Sequence, residues 1–331
     1  MRAAVLRDYH RPLELTEVAE PELSRPDEVL LRVVGAGVCA TDLHALDGLM
    51  EPAGVMLPRV LGHENTGVVE AVGSLVSTVA AGDAVMVYPP YSCGLCLACR
   101  RGHDMHCERH QFYGLTVDGG FAERLVVAER SLVKLPDGVD PVAVAPHADA
   151  GLTAYHAVRR IADRLLPGST AVVIGVGGVG HIVLQLVREL GASTVVAVDL
   201  DPGRRELAAE LGADEVLGAA REFTGAADVV LDVVGTDATH RDSLAMLARG
   251  GTYAIVGYGG TVTTPSLDMV GNERTALGSL VGSWPDLWEV LQLHARGRIE
   301  LRTETHPLEA INDVLERLRA GDVTGRAVIV P

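Results

Sequence analysis

The run TAVVIGVGGVGHIVLQLVREL, Thr170 to Leu190, confines the second half of the chain to a strand, a tight glycine turn and a helix, in that order. Each glycine of GVGGVG has a physical reason. Gly175 permits the turn, Gly177 lets backbone amides approach a pyrophosphate, and Gly180 allows the helix to pack closely on the strand, with Gly178 and Val179 completing the loop. The spacing predicts a helix from about Gly178 to Leu190 whose positive N-terminal end faces the phosphates. The next strand, VVAVD, ends at Asp199, 19 residues after Gly180. A carboxylate there accepts a hydrogen bond from an adenosine ribose 2′-OH and repels a 2′-phosphate, so NAD is expected over NADP. Arg204 and Arg205 pull slightly the other way. A plain packing turn with Asp199 as a turn residue is the competing reading, and the matched strand, loop, helix and acidic spacing argues against it.

The 331 residues are about two domains' worth of chain. From about Gly151 strands alternate with helices: TAVVIG, STVVAVD, ADVVLDVVG, GTYAIVG and TALGSLVG, with helices also expected near 204–211 and 238–248. That is the alternation of a doubly wound α/β fold with a parallel sheet. The first half instead reads as short strands broken by turns, AAVLRD, VLLRVVGAGV, TGVVEAVG, DAVMVY and AERLVV. After Gly282 the texture turns mixed again, with two helices and a terminal GRAVIVP strand, so the tail is expected to rejoin a discontinuous first domain.

The segment CGLCLACRRGHDMHC holds four of the five cysteines. No leader or membrane span is read from MRAAVLRDYH or any later run, which predicts a cytoplasmic protein with reduced thiols. Clustered cysteines are then metal ligands or catalysts before they are bridges. A formal charge of −16 opposes a nucleic-acid partner, because phosphate binding relies on basic surface. Cys93, Cys96, Cys99 and Cys107 suit a closed, structural tetrahedral zinc site. An iron–sulfur cluster, a CxxC redox centre and unligated thiols are the alternatives.

Cys39 stands apart in GAGVCATDLHALDG, and 24 residues later GHENTG supplies His63 and Glu64. A catalytic zinc needs three protein ligands from separated segments and one open position. Cys39 and His63 supply two. The residues alone do not select a third, and a lone buried Cys or His is more often core filler.

The order GVCATDLH, GHE, the four-cysteine loop, PHADAGLTAYHAV, then GVGGVG with Asp199 resembles the zinc-dependent medium-chain alcohol dehydrogenases over essentially the whole chain. That resemblance implies a β-rich GroES-like catalytic domain over 1–149 and 282–331, and an NAD-binding Rossmann domain over 150–281. It implies Cys39, His63 and Asp149 as catalytic zinc ligands, the aspartate as in some bacterial secondary-alcohol members where many relatives carry cysteine. His147 and Glu64 compete for that place, since polyol and threonine dehydrogenases use the glutamate of their GHE motif. Otherwise Glu64 stands behind the ligands or joins them transiently. Asp42 matches the carboxylate that orients the histidine ligand. Thr41 and His44 match a relay that passes the alcohol proton through the cofactor ribose to an imidazole. Arg326 matches a residue that pairs with the cofactor pyrophosphate.

The implied activity is reversible, NAD-linked oxidation of an alcohol, leaning secondary, to a ketone or aldehyde, with two zinc ions per chain, one catalytic and one structural. Its partners are a small alcohol or carbonyl substrate and further copies of the chain, as a homotetramer joined through TALGSLVG or as a dimer. Rival readings are a polyol or threonine-type dehydrogenase, a zinc-free quinone or enoyl reductase, and a non-catalytic zinc module.

Overall fold

The computed structural model describes residues 1–191, 193–223 and 225–331, and the chain divides into two compact units. The first comprises Met1–Leu152, Ser283–Gly297 and Leu301–Pro331, and the second Thr153–Gly282 with Arg298–Glu300. Among the described residues no helix is long and apolar enough to cross a membrane.

The second unit is built on six parallel strands in the order Glu215–Leu217, Thr194–Val198, Thr170–Ile174, Ala227–Asp232, Leu247–Ile255 and Thr275–Gly278. Valine-rich strands such as Thr170–Ile174 are almost wholly buried, as expected where helices cover a parallel sheet. The strand order reverses direction between Thr170–Ile174 and Ala227–Asp232, and such a switch point opens a crevice at the carboxyl ends of the strands. Helix Gly180–Leu190 begins two residues later than the glycine spacing predicts, because its ladder starts at the Gly177 carbonyl. Helix Pro202–Glu210 begins earlier than expected. Asp201 caps it by accepting the Arg204 N–H at 2.8 Å, and Pro202 fits its first turn.

Two expectations need correction here. Glu215–Leu217 is a strand that the alternation did not reveal, a three-residue, partly exposed element at the sheet edge. TALGSLVG leaves the sheet after Gly278, and Val281 beyond it holds φ +45°, a left-handed value that no strand accommodates. Buried polar groups fix the turn after Ala227–Asp232. Asp232 accepts the N–H groups of Val234 and Gly235 through Oδ1, and the hydroxyl of Tyr253, itself in contact with His240, through Oδ2.

In the first unit a seven-stranded sheet runs Leu132–Lys134, Ala84–Val87, Glu64–Val72, Glu28–Gly37, Arg326–Val330 and Thr303–Pro307, with Arg124–Ala128 also paired to Glu28–Gly37. Leu31, Val69, Leu125, Ile311 and Ile329 contribute to its core. The register matters most at one end. Gly37 stands opposite both Glu64 and Val328, which draws the chain at Cys39, His63 and Arg326 together. Only glycine fits at position 37, since a Cβ there would lie 2.0 Å from Glu64 Oε2. The tail contributes helix Trp284–Ala295, opened by reciprocal Ser283 and Asp286 caps, and helix Ile311–Ala320, which buries Ile311, Val314 and Leu315.

Candidate active site and metal centres

Helix Ala40–Leu46 follows directly on strand Glu28–Gly37, and its geometry explains why Cys39 is held still. Asp42 Oδ2 accepts the Cys39 N–H at 2.9 Å, closing the helix start over the cysteine. The other oxygen, Oδ1, lies 3.2 Å from His63 Nδ1. One carboxylate thus ties together two segments distant in sequence.

On the far side of that imidazole, His63 Nε2 is 3.6 Å from Asp149 Oδ2, and Cys39 Sγ is 3.6 Å from the same oxygen. Ligand atoms of Cys39, His63, Glu64 and Asp149 all lie within 4.8 Å of one another, in a buried setting. Around a tetrahedral zinc with bonds of about 2.0–2.3 Å, donors stand about 3.3–3.8 Å apart. Burial alone would lower the His63 pKa, yet the charge of Asp42 and hydrogen bonds to Asp149, Asp42 and Cys39 raise it well above 6.5. Burial likewise pushes the Glu64 carboxyl up to about 7, against the pull of Arg326. Both shifts favour the protonated forms in this buried cluster.

Two other candidates are placed differently. His147 does not enter the cluster, because its Nε2 faces His294 Nδ1 at 3.1 Å. Arg326 is buried, donating from Nη2 to Glu64 Oε1 and from Nη1 to the Val38 carbonyl. Strand pairing beside Val38 aims its guanidinium at Glu64. Thr41 Oγ1 sits 3.7 Å from Cys39 Sγ, and His44 lies one turn further along the same helix, half-buried. Burial lowers the His44 imidazole below its usual 6.5, against Asp47 and with help from Arg319.

The four-cysteine loop also converges, its sulfurs within 4.8 Å of one another. Cys96 Sγ is 3.4 Å from Cys99 Sγ and 4.0 Å from Cys107 Sγ, far beyond a disulfide bond and near the sulfur spacing of about 3.8 Å around tetrahedral zinc. Backbone N–H groups of Leu95 and Cys96 pull the Cys93 thiol down to about 6, while burial pushes Cys99 up to about 12. Crowded thiolates repel one another, so a dication is the group that lets all four ionise. Arg130 anchors the loop by donating to Ser92 Oγ at 3.1 Å and Asp104 Oδ1 at 3.0 Å.

In the second unit, Asp199 Oδ2 accepts the Val176 N–H at 2.7 Å and Oδ1 accepts the Asp201 N–H at 2.9 Å. A carboxylate has about four acceptor sites, so it keeps capacity for a ribose hydroxyl. The glycines divide by cause. A Cβ on Gly175 would meet Val234 Cγ2 at 2.6 Å, and one on Gly180 would meet the Gly175 carbonyl at 1.8 Å. At Gly177 the nearest atoms would be Arg204 Nη1 at 3.8 Å and Cζ at 3.9 Å, an ordinary contact with no clash. This is the cradle a pyrophosphate needs. Arg205 is committed to the carbonyls of Asp199 and Leu200.

Comparison with known proteins agrees with this geometry. Residues 25–137 match the alcohol dehydrogenase GroES-like domain, and residues 178–296 match the zinc-binding dehydrogenase family. An alcohol dehydrogenase of Geobacillus stearothermophilus is 38% identical over 99% of both chains. The crystal structure of an alcohol dehydrogenase from the archaeon Aeropyrum pernix superposes with a TM-score of 0.97 at 42% identity, covering 100% of both chains.

The chain belongs to the zinc-dependent medium-chain alcohol dehydrogenase family. An acetophenone reductase from Geotrichum candidum, solved with NAD, is 32% identical with a TM-score of 0.91, covering 100% of this chain and 97% of that one.

As a member of that family the dehydrogenase is an oxidoreductase with a GroES-like and a Rossmann-type part. Both donor sets fit zinc: His63 Nε2 is a buried nitrogen beside the Asp149 carboxylate and the Cys39 sulfur, and the four sulfurs gather within 4.8 Å of one another. Sequence reasoning missed the anchors Ser92, Asp104 and Arg130 and the space at Gly37, which carry no motif. It also missed the Glu64–Arg326 pair, whose members are 262 residues apart. The dehydrogenase with Cys99→Ser should lose one zinc ion per chain and melt at lower temperature while keeping the second zinc, measured by metal analysis alongside calorimetry.

Proposed function

We propose that the protein is an NAD-dependent dehydrogenase interconverting small secondary alcohols and ketones. Residues 1–149 and 282–331 form its catalytic part, and 150–281 its cofactor part. The observation carrying this is the meeting of Cys39 Sγ and His63 Nε2 at Asp149 Oδ2, each at 3.6 Å, in a chain that also has the dinucleotide loop. The acetophenone reductase, named for a ketone, supports the lean toward secondary alcohols. Asp199 supports NAD over NADP.

Cys39, His63 and Asp149 would hold a zinc that supplies Lewis acidity toward the substrate oxygen, while NAD, held by Gly175–Gly180 and Asp199, supplies the hydride acceptor. Asp42 Oδ1 keeps the proton of His63 on Nδ1, so that Nε2 presents its lone pair to the metal. Thr41 Oγ1 would accept the alcohol proton as it gives up its own toward the His44 imidazole, which carries it onward. Glu64 stays behind the three donors. Arg326 and the Ala150 N–H hold its Oε1, and its Oε2 lies over Gly37. That arrangement favours Asp149 over Glu64 as third ligand.

The edge strand Thr275–Gly278 leaves one side of its sheet open, and Leu267, Val270 and Leu280 nearby in the chain are 81%, 74% and 53% exposed. A homotetramer would cover such an edge with its counterpart in another copy. Light scattering should give four chains per particle, and a monomer would refute this assembly.

Cys39→Ser should abolish turnover while NAD binding, followed by fluorescence titration, changes less than about threefold. Full activity in that variant would refute the metal assignment. For alcohol oxidation the relay base must be neutral, so rate is lost as pH falls through the His44 pKa. Because burial lowers that pKa, the acid limb of the kcat profile should lie below pH 6.5. His44→Gln should cut kcat by about tenfold to a hundredfold and remove that limb.

A further inference from the structure

The carbonyl of Gly177 accepts two hydrogen bonds from a single residue. His181 donates to it from its backbone N–H at 3.1 Å and from ring Nδ1 at 2.9 Å. A carbonyl can only accept, so Nδ1 carries the ring hydrogen and the tautomer is fixed by this contact. The imidazole is fully buried in the first turn of helix Gly180–Leu190. From Ile182 to Val187 that helix buries apolar side chains and Gln185. An aliphatic side chain would satisfy packing there, so burying an imidazole calls for another reason.

The peptide joining Gly177 to Gly178 is trans and planar, so its N–H points opposite to its carbonyl. His181 draws that carbonyl into the helix. The Gly178 N–H is thereby turned out of the helix N-terminus, the direction from which phosphate oxygens approach. Asp199 holds an amide two peptides earlier, the Val176 N–H. Gly177, where a Cβ would clash with nothing, is where the pyrophosphate backbone would pass.

We propose that His181 is a positioning residue for the dinucleotide, its Nδ1–H locking the Gly177 carbonyl so that the Gly178 amide is aimed at the pyrophosphate. This rests on the reading of the second unit as the NAD-binding part. It adds a residue outside the glycine fingerprint to the machinery of cofactor affinity. His181 touches no reacting atom, so its effect falls on binding and leaves the chemical step alone.

The test compares wild type, His181→Leu and His181→Asn in the full-length zinc-loaded enzyme, measuring the Kd for NAD by calorimetry together with kcat and the alcohol KM. Leucine keeps apolar bulk and loses the donor. Asparagine places an amide N–H about where Nδ1 stands. His181→Leu should weaken NAD binding about tenfold, with kcat at saturating NAD within about twofold, and His181→Asn should recover to within about threefold of wild type. Unchanged NAD affinity in His181→Leu would overturn the proposal, as would an asparagine variant no better than leucine. If the leucine variant does not fold, His181→Asn is set against His181→Gln, whose amide reaches the Nε2 position. Tighter NAD binding by asparagine supports the role, and equal binding removes it. A wild-type enzyme that binds no NAD would instead bring down the cofactor reading itself, and this inference with it.

Discussion

Buried acidic groups, answered in part by the guanidinium of Arg326, are what the first unit is organised around. Cys39, Asp149, Asp42 and Glu64 crowd around His63 in a space from which water is largely excluded. Anions brought together in that way cost several kcal/mol each unless something positive joins them. Without metal, the nearest remedy is the proton, which is why the pKa values of His63 and Glu64 both rise. A zinc ion answers the same demand more completely, and its binding energy then becomes part of the folding energy of the unit. The register that sets Gly37 against Glu64 is therefore a device for gathering charge as much as a piece of sheet pairing.

Each site is a loop, and each loop is held by buried or half-buried side chains that bond to backbone or to one another. Asp42 closes the helix that starts at Cys39 and faces His63. Arg130, Ser92 and Asp104 brace the four-sulfur loop. Asp199 and His181 grip two peptides of the glycine loop, and Asp232 pins the turn whose valine lies against Gly175. Loops carry function because their backbone is free to take the shape a ligand needs. Such bonds keep that freedom from becoming disorder, since an open loop would pay conformational entropy on every binding event.

The glycine loop and the four-cysteine loop were legible because their chemistry is local. A strand, three glycines and a helix form one contiguous run, and four sulfurs within 15 residues have few ways to avoid meeting. The alternation of valine-rich strands with helices likewise revealed the parallel sheet. Glu215–Leu217 escaped because three residues at an exposed edge show no periodicity. The third ligand could not be chosen from residue types, since carboxylates and imidazoles crowd the sequence around PHADAG. The three-dimensional turn sends His147 toward His294 and Asp149 toward Cys39, a placement that no local pattern encodes. The partnership of Glu64 with Arg326 depends on strand Arg326–Val330 returning beside Glu28–Gly37. No pattern local to either residue encodes that.

Arg326 also gives a reason why Glu64 could sit so close to the proposed metal site without competing for it. In the proposed zinc site the negative charges of Cys39 and Asp149 would offset a dication, with neutral His63 as third donor. An unpartnered Glu64 would add a third negative charge and a fourth ligand, closing the position substrate needs. The guanidinium answers both problems through its planar fork, one nitrogen on Glu64 Oε1 and the other directed to the Val38 carbonyl, next to Cys39. A lysine would bring the charge but only a single nitrogen, leaving either the carboxylate or the carbonyl without its donor. The residue therefore acts by geometry as well as charge: it neutralises Glu64 and, through the same bonds, fixes the backbone from which Cys39 projects.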